Sequence, residues 1–341
     1  MNLYVHFPFC RRKCSYCALH SRAGSTPAER AAYVDGLAAR LRELHSSRPL
    51  KLKTIYFGGG SPGLCELGPL FDALAPCTAE DAEFTVELHP LDVTPPLLAK
   101  LKAGGVNRVS MGVQSLDDDI LAAMGRGYTF AEAERAFMMA RDVFDNAGVD
   151  LIVGYPGEAA ALTPRHARLA KWGLAHCSVY SLILEEKTAL AALVKRSKAT
   201  LPDDDTVLDR IAVVSRFLAD IGLERYEISN YAIPGRECRH NLATWRGEDY
   251  IGLGDGAIGR IGLTRTSDGA VTDEVSPEMD AKERALFRLR TREGLDATGF
   301  PQWKGTLDRF VADALLSGSF PIYHLTERGT EVCDSILAEL V

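Results

Sequence analysis

The chain has 341 residues, 46% of them hydrophobic and 25% charged, with a formal charge of −7. Such a length can bury a large core and fits one big α/β domain plus a smaller one, and the composition is that of an ordinary soluble protein. The acidic balance argues against a nucleic-acid footprint, no run of about eighteen apolar residues offers a membrane span, and the first residues do not form a charged leader, so a cytoplasmic protein is expected.

The elements follow in chain order. Leu3–His6 is a short strand-like run, and a cysteine-bearing loop comes directly after it. Thr26 and Glu29 make a capping box for a helix whose Tyr33, Leu37, Leu41 and Leu44 share one face. Thr54–Phe57, Phe84–Glu87, Val106–Met111, Val149–Val153 and Ser178–Ile183 are β-prone and alternate with helical stretches. One of those helices is expected from about Thr129 to Asn146, ending at Gly148. This alternation predicts a parallel sheet, open or barrel-like.

Beyond Glu185 the pattern changes. A helix is expected near Asp203–Ile221, then an irregular stretch over Tyr226–Gly259, then a hairpin turning at Ser267–Gly269. Residues from about Pro277 to Val341 read as a small helical module with a short ribbon, winged-helix-like but without a basic stripe. The expected units are therefore residues 1–187, 188–276 and 277–341.

In parallel α/β folds, function gathers at the carboxyl ends of the strands. The unusual residues fall there. Cys10, Cys14 and Cys17 follow the first strand, Gly58–Pro62 follows the second, and Glu87 to Pro90 ends the third. Gln114 ends the fourth, and Asp150 lies within the fifth. The other cysteines are not read as disulfide staples, which a chain of this length in a reducing compartment does not need. Cys65, Cys77, Cys177 and Cys333 read as structural.

Three thiolates spaced C-x3-C-x2-C can converge on one metal centre, and thiolates select zinc or iron–sulfur clusters. Two readings stay open. His20 could complete a closed Cys3His zinc site, or the three cysteines could hold a [4Fe–4S] cluster with one iron left open. Glycines 58–60 permit close backbone approach by a ligand, and Glu87 could bind an amine. Gly252–Gly256 is not followed by a helix, so no phosphate loop is expected there.

Together these residues resemble the radical S-adenosylmethionine superfamily, whose signature is C-x3-C-x-aromatic-C with the aromatic at Tyr16. The resemblance implies a partial (β/α)6 TIM-like barrel. It also implies that the open iron chelates S-adenosylmethionine, which one electron cleaves to methionine and a 5′-deoxyadenosyl radical. Tyr4, Gly59, Gly60, Ser61, Glu87, Gln114, Arg126 and Asp150 would then line the S-adenosylmethionine pocket. Arg126 and Asp150 could belong to a second S-adenosylmethionine position.

Segments at Tyr4–Cys10, Tyr56–Pro62, Arg108–Ser115, Asp150–Gly157, Tyr226–Tyr231, Gly235–Leu242, Trp245–Gly254 and Leu325–Gly329 narrow the likeness. They resemble the group that contains oxygen-independent coproporphyrinogen III oxidase and the HemW heme chaperones. The early cluster loop, Leu19 in place of a fourth cysteine, and the Cys238–Asn241 segment lean toward the chaperones. On that side, His240 is the candidate heme ligand. The motif departs at Thr244, where tyrosine is expected, and at Ile258, where a second histidine is expected. The implied cofactors are a [4Fe–4S] cluster, S-adenosylmethionine and heme. The implied partners are heme or a porphyrin, a reduced flavodoxin- or ferredoxin-type donor and a client hemoprotein. The alternative is a radical enzyme acting on a tetrapyrrole, either oxidase-like or a methyltransferase or heme-opening enzyme.

Overall fold

A computed structural model describes residues 1–341. Six parallel strands alternate with helices along the chain: β1 (Asn2–Phe7), α1 (Pro27–Ser47), β2 (Leu52–Gly59), α2 (Gly68–Leu74), β3 (Thr78–Leu88) and α3 (Pro95–Ala103). They continue with β4 (Arg108–Gln114), α4 (Asp118–Met124), α5 (Phe130–Arg141), β5 (Asn146–Val153), α6 (Pro164–Leu169) and β6 (His176–Ser181). These strands lie side by side in sequence order, as βαβ units with short crossovers require. Together they make the expected partial (β/α)6 barrel.

The sheet stays open and grows at both edges. After α7 (Ala189–Lys195) and α8 (Asp204–Asp220), β7 (Glu224–Arg225) and β8 (Asn230–Ala232) extend the β6 side antiparallel. Helix α9 (Arg239–Trp245) leads to β9 (Tyr250–Leu253), which pairs parallel with β1. Then β10 (Ile258–Ile261), β11 (Thr264–Ser267) and β12 (Ala270–Glu274) run as a meander to the far edge of the twelve-stranded sheet. The hairpin turns on Asp268 and Gly269, both at positive φ (52° and 76°), which is the two-residue turn whose twist suits a hairpin.

Two large apolar cores form, with two small satellites. Leu3, Val5, Phe57, Val86, Val109 and Val149 point out of the barrel into one large core beneath the helices. The second core joins α10 (Pro277–Leu289), β13 (Leu295–Asp296), α11 (Lys304–Ala312), β14 (Leu316–Ser319), β15 (Ile322–Leu325), α12 (Glu327–Glu331) and α13 (Cys333–Ala338). Its three strands pair in the order β13-β15-β14, giving the helix–strand–helix–hairpin sequence of a winged helix.

Local rules account for most boundaries. Thr26 and Glu29 close the α1 capping box from both sides, at 3.2 and 2.6 Å. Helix α5 has the same device at Thr129 and Glu132 but ends at Arg141, not near Asn146. Gly148 is no helix stop. It lies inside β5, where a Cβ would stand 2.8 Å from the His176 carbonyl oxygen. Glycine there serves close strand approach.

Candidate functional site

Strand register stacks the inward-facing side chains in rows. Asn2, Thr54 and Glu83 share the lowest row, with Tyr4, Tyr56, Thr85 and Arg108 above them. Glu87, Ser110, Gly148 and His176 form the next row, and Gly112, Asp150 and Ser178 lie highest. The interior is therefore polar from bottom to top, while the outer face of the same strands is apolar. An all-polar lumen suits a charged ligand entering from the strand ends.

The glycine loop is shaped against this lumen. Gly59 has φ +103°, and a Cβ on it would lie 2.4 Å from the His6 ring. A Cβ on Gly60 would lie 2.5 Å from the Phe9 carbonyl oxygen. The loop is tied to the first strand by Gly60 N–H to Phe7 O (2.6 Å) and Ser61 N–H to Phe9 O (2.7 Å). Glu87 rises beside it, accepting from Tyr56 Oη–H at 2.8 Å and Gly59 N–H at 3.1 Å. Burial pushes the Glu87 carboxyl up to about 7. Nearby Asp150 adds to the rise, and the two hydrogen bonds and Arg108 oppose it.

Asp92 holds the glycine loop to the cysteine loop. Its side chain is wholly buried and accepts from Ser61 Oγ–H and from Arg11 Nε–H, so one carboxylate bridges both segments. Nothing in the sequence marks Asp92 as a site residue. Ser61 consequently positions the loop through Asp92.

Cys10, Cys14 and Cys17 are unpaired and half-buried on a loop with Arg12 and Lys13 exposed beside it. Ser15 anchors the loop to the α4 end through Ser15 N–H to Met124 O at 3.0 Å. Burial pushes the Cys10 thiol up, with the Ser21 hydroxyl and Lys13 opposing and the other two cysteines adding to the rise. Arg126 donates from Nη1 to Cys14 Sγ at 3.4 Å. Tyr16 is half-buried among Arg126, Tyr128 and the cysteines, and burial raises its hydroxyl.

No three His, Cys, Asp or Glu side chains are gathered closely enough to share one metal ion. His20 and the three cysteines therefore do not stand as a closed Cys3His group. His20 is exposed, and its carbonyl accepts from His6 Nε2–H at 2.7 Å. A cluster of several irons fits better, because each thiolate attaches to a separate iron and the sulfurs need not converge. Three unpaired thiols, a guanidinium on one of them and a side-chain-free glycine edge suit such a cluster.

Gln114 ends β4 at φ +69°, uncommon for a residue with a side chain. Arg126 is held by Gly112 O (2.7 Å) and Tyr128 Oη (2.9 Å) as well as by Cys14. Asp150 accepts from Ser110 Oγ–H at 2.9 Å, and burial raises its carboxyl against opposing contributions from Ser178, Ser110, Arg108 and Arg126. Tyr4 donates from Oη to His6 Nδ1 at 2.9 Å and faces the lumen. The strand carboxyl ends thus carry Gly59, Gly60, Glu87, Gln114 and Asp150, Arg126 joins this end to the cysteine loop through Cys14, and Tyr4 faces the same lumen from lower, level with Tyr56 and Arg108.

A model of the Radical SAM superfamily matches residues 4–170. The heme chaperone HemW of Mycobacterium tuberculosis is 32% identical, with 100% of this chain and 94% of the relative covered. HemW of Escherichia coli K12 is 34% identical, over 99% and 97%. This chain belongs to the radical SAM superfamily, in its HemW family. HemW of Bacillus subtilis, at 31% identity, is covered over its full length. Coproporphyrinogen III oxidase (HemN) from Escherichia coli shares the fold, with a TM-score of 0.82 at 20% identity, over 99% of this chain and 89% of that one.

One residue falls outside the gathered site. His240 lies at the opposite end of the lumen, 6% exposed. Its Nδ1 shares a 2.8 Å hydrogen bond with Thr54 Oγ1, and its backbone N–H donates to Glu83 at 3.0 Å. Tyr4 and Tyr56 lie over its ring at 6.4 and 5.2 Å. Burial and Arg108 pull its imidazole down to about 4, so it is neutral. His240 thus helps to close the lower end of the lumen through Nδ1, and its Nε2 takes no hydrogen bond.

Proposed function

We propose that the chain holds a [4Fe–4S] cluster on Cys10, Cys14 and Cys17, binds S-adenosylmethionine over the glycine loop, Glu87, Gln114, Arg126 and Asp150, and serves as a cytoplasmic heme chaperone. The full-length likeness to HemW proteins carries this reading. When bound, the cluster and S-adenosylmethionine together supply one-electron cleavage of the sulfonium. The chain's own residues do the rest. Gly59 and Gly60 admit the amino-acid end of the ligand, Glu87 and Asp150 offer negative charge to its cationic groups, and Arg126 offsets the thiolate charge at Cys14. Tyr4 and Tyr16 wall the pocket. The donor of the electron would be a flavodoxin- or ferredoxin-type protein, and the acceptor of heme a client hemoprotein.

The test is anaerobic reconstitution, then heme titration and transfer to an apo-hemoprotein. Brown protein with four irons per cluster, a Soret band on heme addition and recovery of the client's spectrum are expected. Colourless protein, or heme that never leaves for the client, would refute it.

A second reading is favoured by one observation: Gln114 is held at positive φ at the end of β4, a conformation that folds keep mostly at functional sites. A radical enzyme acting on a tetrapyrrole would need such a fixed binding position. Incubation with reductant and S-adenosylmethionine separates the two, since an enzyme releases 5′-deoxyadenosine with substrate turnover and a pure chaperone does not.

A further inference from the structure

The cysteine loop is basic in an acidic chain. Residues 1–28 carry Arg11, Arg12, Lys13 and Arg22 and no aspartate or glutamate, against a formal charge of −7 for the whole. All four cations are exposed. Arg11 pairs with the buried Asp92, and Lys13 donates from Nζ to Leu19 O and Ser21 Oγ, each at 2.7 Å. Arg22 lies over the Phe9 ring, its guanidinium carbon 5.3 Å from the centroid. Arg12 lies over Gly127, where a Cβ would stand 3.5 Å from the guanidinium carbon. Neither Arg12 nor Arg22 has a carboxylate partner.

The backbone fixes where these charges stand. Phe9–Cys10 pairs with Arg22–Ala23, and Arg22 N–H donates to Pro8 O at 2.7 Å. Arg11 Nη2 reaches the Leu91 carbonyl at 3.4 Å. The cations therefore flank the thiols toward Phe9, toward Leu91 and toward the turn after α4. Among them Leu19 and Leu91 are 56% and 39% exposed. Apolar side chains rimmed by charge are the composition of a contact surface. Offsetting the thiolate charge accounts for Arg126, which is buried and donates to Cys14. It does not account for unpaired guanidinium groups in water, which contribute little to a fold. Such charges act instead on an approaching partner of opposite sign.

We propose that this face docks a small acidic redox protein, the electron donor of the cluster. This rests on the cluster reading above. Position selects the occupant. Electron tunnelling falls steeply with distance, so a donor must come close, and these cations stand on the loop whose half-buried thiols would hold the cluster. A client hemoprotein has no such need. The donor gives up one electron and the oxidised cluster takes it, with no bond formed or broken. The rest of the chain is net acidic, which turns an acidic partner toward this face.

The test uses cluster-loaded protein, with flavodoxin and an acidic ferredoxin as separate probes. Binding is read by anaerobic titration calorimetry, and reduction by bleaching of the visible absorption. Wild type should bind a probe with an affinity that falls as salt rises from about 20 mM to about 300 mM. Arg12→Glu/Arg22→Glu should bind about tenfold more weakly at low salt and be reduced by that probe correspondingly more slowly. A small photoreduced deazaflavin should reduce both proteins at the same rate. Arg12→Gln/Arg22→Gln, the milder change, should fall between them, and it carries the test if charge reversal lowers iron content. Arg216→Glu/Arg328→Glu, an equal change of net charge on α8 and α12, should bind like wild type. Wild-type affinity in both loop variants would overturn the proposal, as would an equal loss in the α8 and α12 variant, or wild type that binds neither probe. So would slower heme transfer to a client with probe binding unchanged, which gives the face to the client. Wild type that takes up no iron–sulfur cluster would instead overturn the cluster reading.

Discussion

Replacing Glu87 by glutamine should stabilise the ligand-free protein while abolishing tight binding of S-adenosylmethionine. The Glu87 carboxyl titrates at about 7 in the fold against 4.5 when free. The fold therefore holds this proton more tightly than the open chain does. Stability is greatest at low pH, falls as pH rises from 4.5, and the full cost is reached above the folded value. A rise of roughly 2.5 units corresponds to about 3 kcal/mol, reduced to about 2 kcal/mol by the water that reaches this half-open pocket. Glutamine has no charge to desolvate. Its oxygen can accept from Gly59 N–H, and the Tyr56 hydroxyl can turn to accept from its amide, so no polar group is stranded. For a chain of this length, about 2 kcal/mol moves the melting temperature by about 3 °C. Thermal melts of cluster-loaded, ligand-free protein should show Glu87→Gln melting higher near pH 8 and level with wild type near pH 5. Dialysis should show binding weaker by about a hundredfold, the loss of one charged contact. A variant that melts at or below wild type near pH 8, with no pH dependence in the difference, would refute the desolvation argument.

Asp92→Ala removes the shared acceptor of Ser61 and Arg11 and should cost about 2 kcal/mol, Arg11 being half-exposed. It should also lower iron content after reconstitution, and full iron retention would argue that the two loops are independent. Gly59→Ala forces a methyl to within 2.4 Å of the His6 ring at φ +103°. It should lose S-adenosylmethionine binding in dialysis while iron content persists. His240→Ala removes a buried ring and its bond to Thr54, with an expected loss of about 2–4 kcal/mol in melting experiments. Its heme spectrum should match wild type, and loss of the Soret band would mark His240 as the heme ligand.

The barrel was legible in the sequence because its signals are local. Apolar outward positions alternate with unusual inward ones, and the functional residues sit where parallel strands end. The cysteine loop, the triple glycine, Glu87, Gln114 and Asp150 were each readable on that basis. Asp92 and Arg108 were not, for different physical reasons. Asp92 follows a strand end in a short turn, and nothing local marks it as the acceptor for two distant segments. Arg108 carries a charge at a strand position that a one-dimensional reading assigns to an ordinary half-exposed site. Only the closing of the barrel puts it under Glu87. The α5 boundary failed because Asp142–Asp145 lacks a glycine or proline stop, while Gly148 offered a false one.

His240 has a structural task in the fold beside the ligand role that its motif implies. The Cys238–Asn241 segment is an N-terminal helix turn, and Glu83 accepts from Cys238 Sγ–H, Arg239 N–H and His240 N–H together. That carboxylate satisfies donors which a helix start otherwise leaves open. The histidine then completes the seal through Thr54. Because this end is closed by hydrogen bonds and the other carries the cysteine and glycine loops, a ligand can enter the lumen only from the strand carboxyl ends. Substitutions at the two ends should therefore separate cleanly. Those at Glu83, Thr54 and His240 should alter melting before cofactor affinity, and those at Gly59, Glu87 and Gln114 should do the reverse.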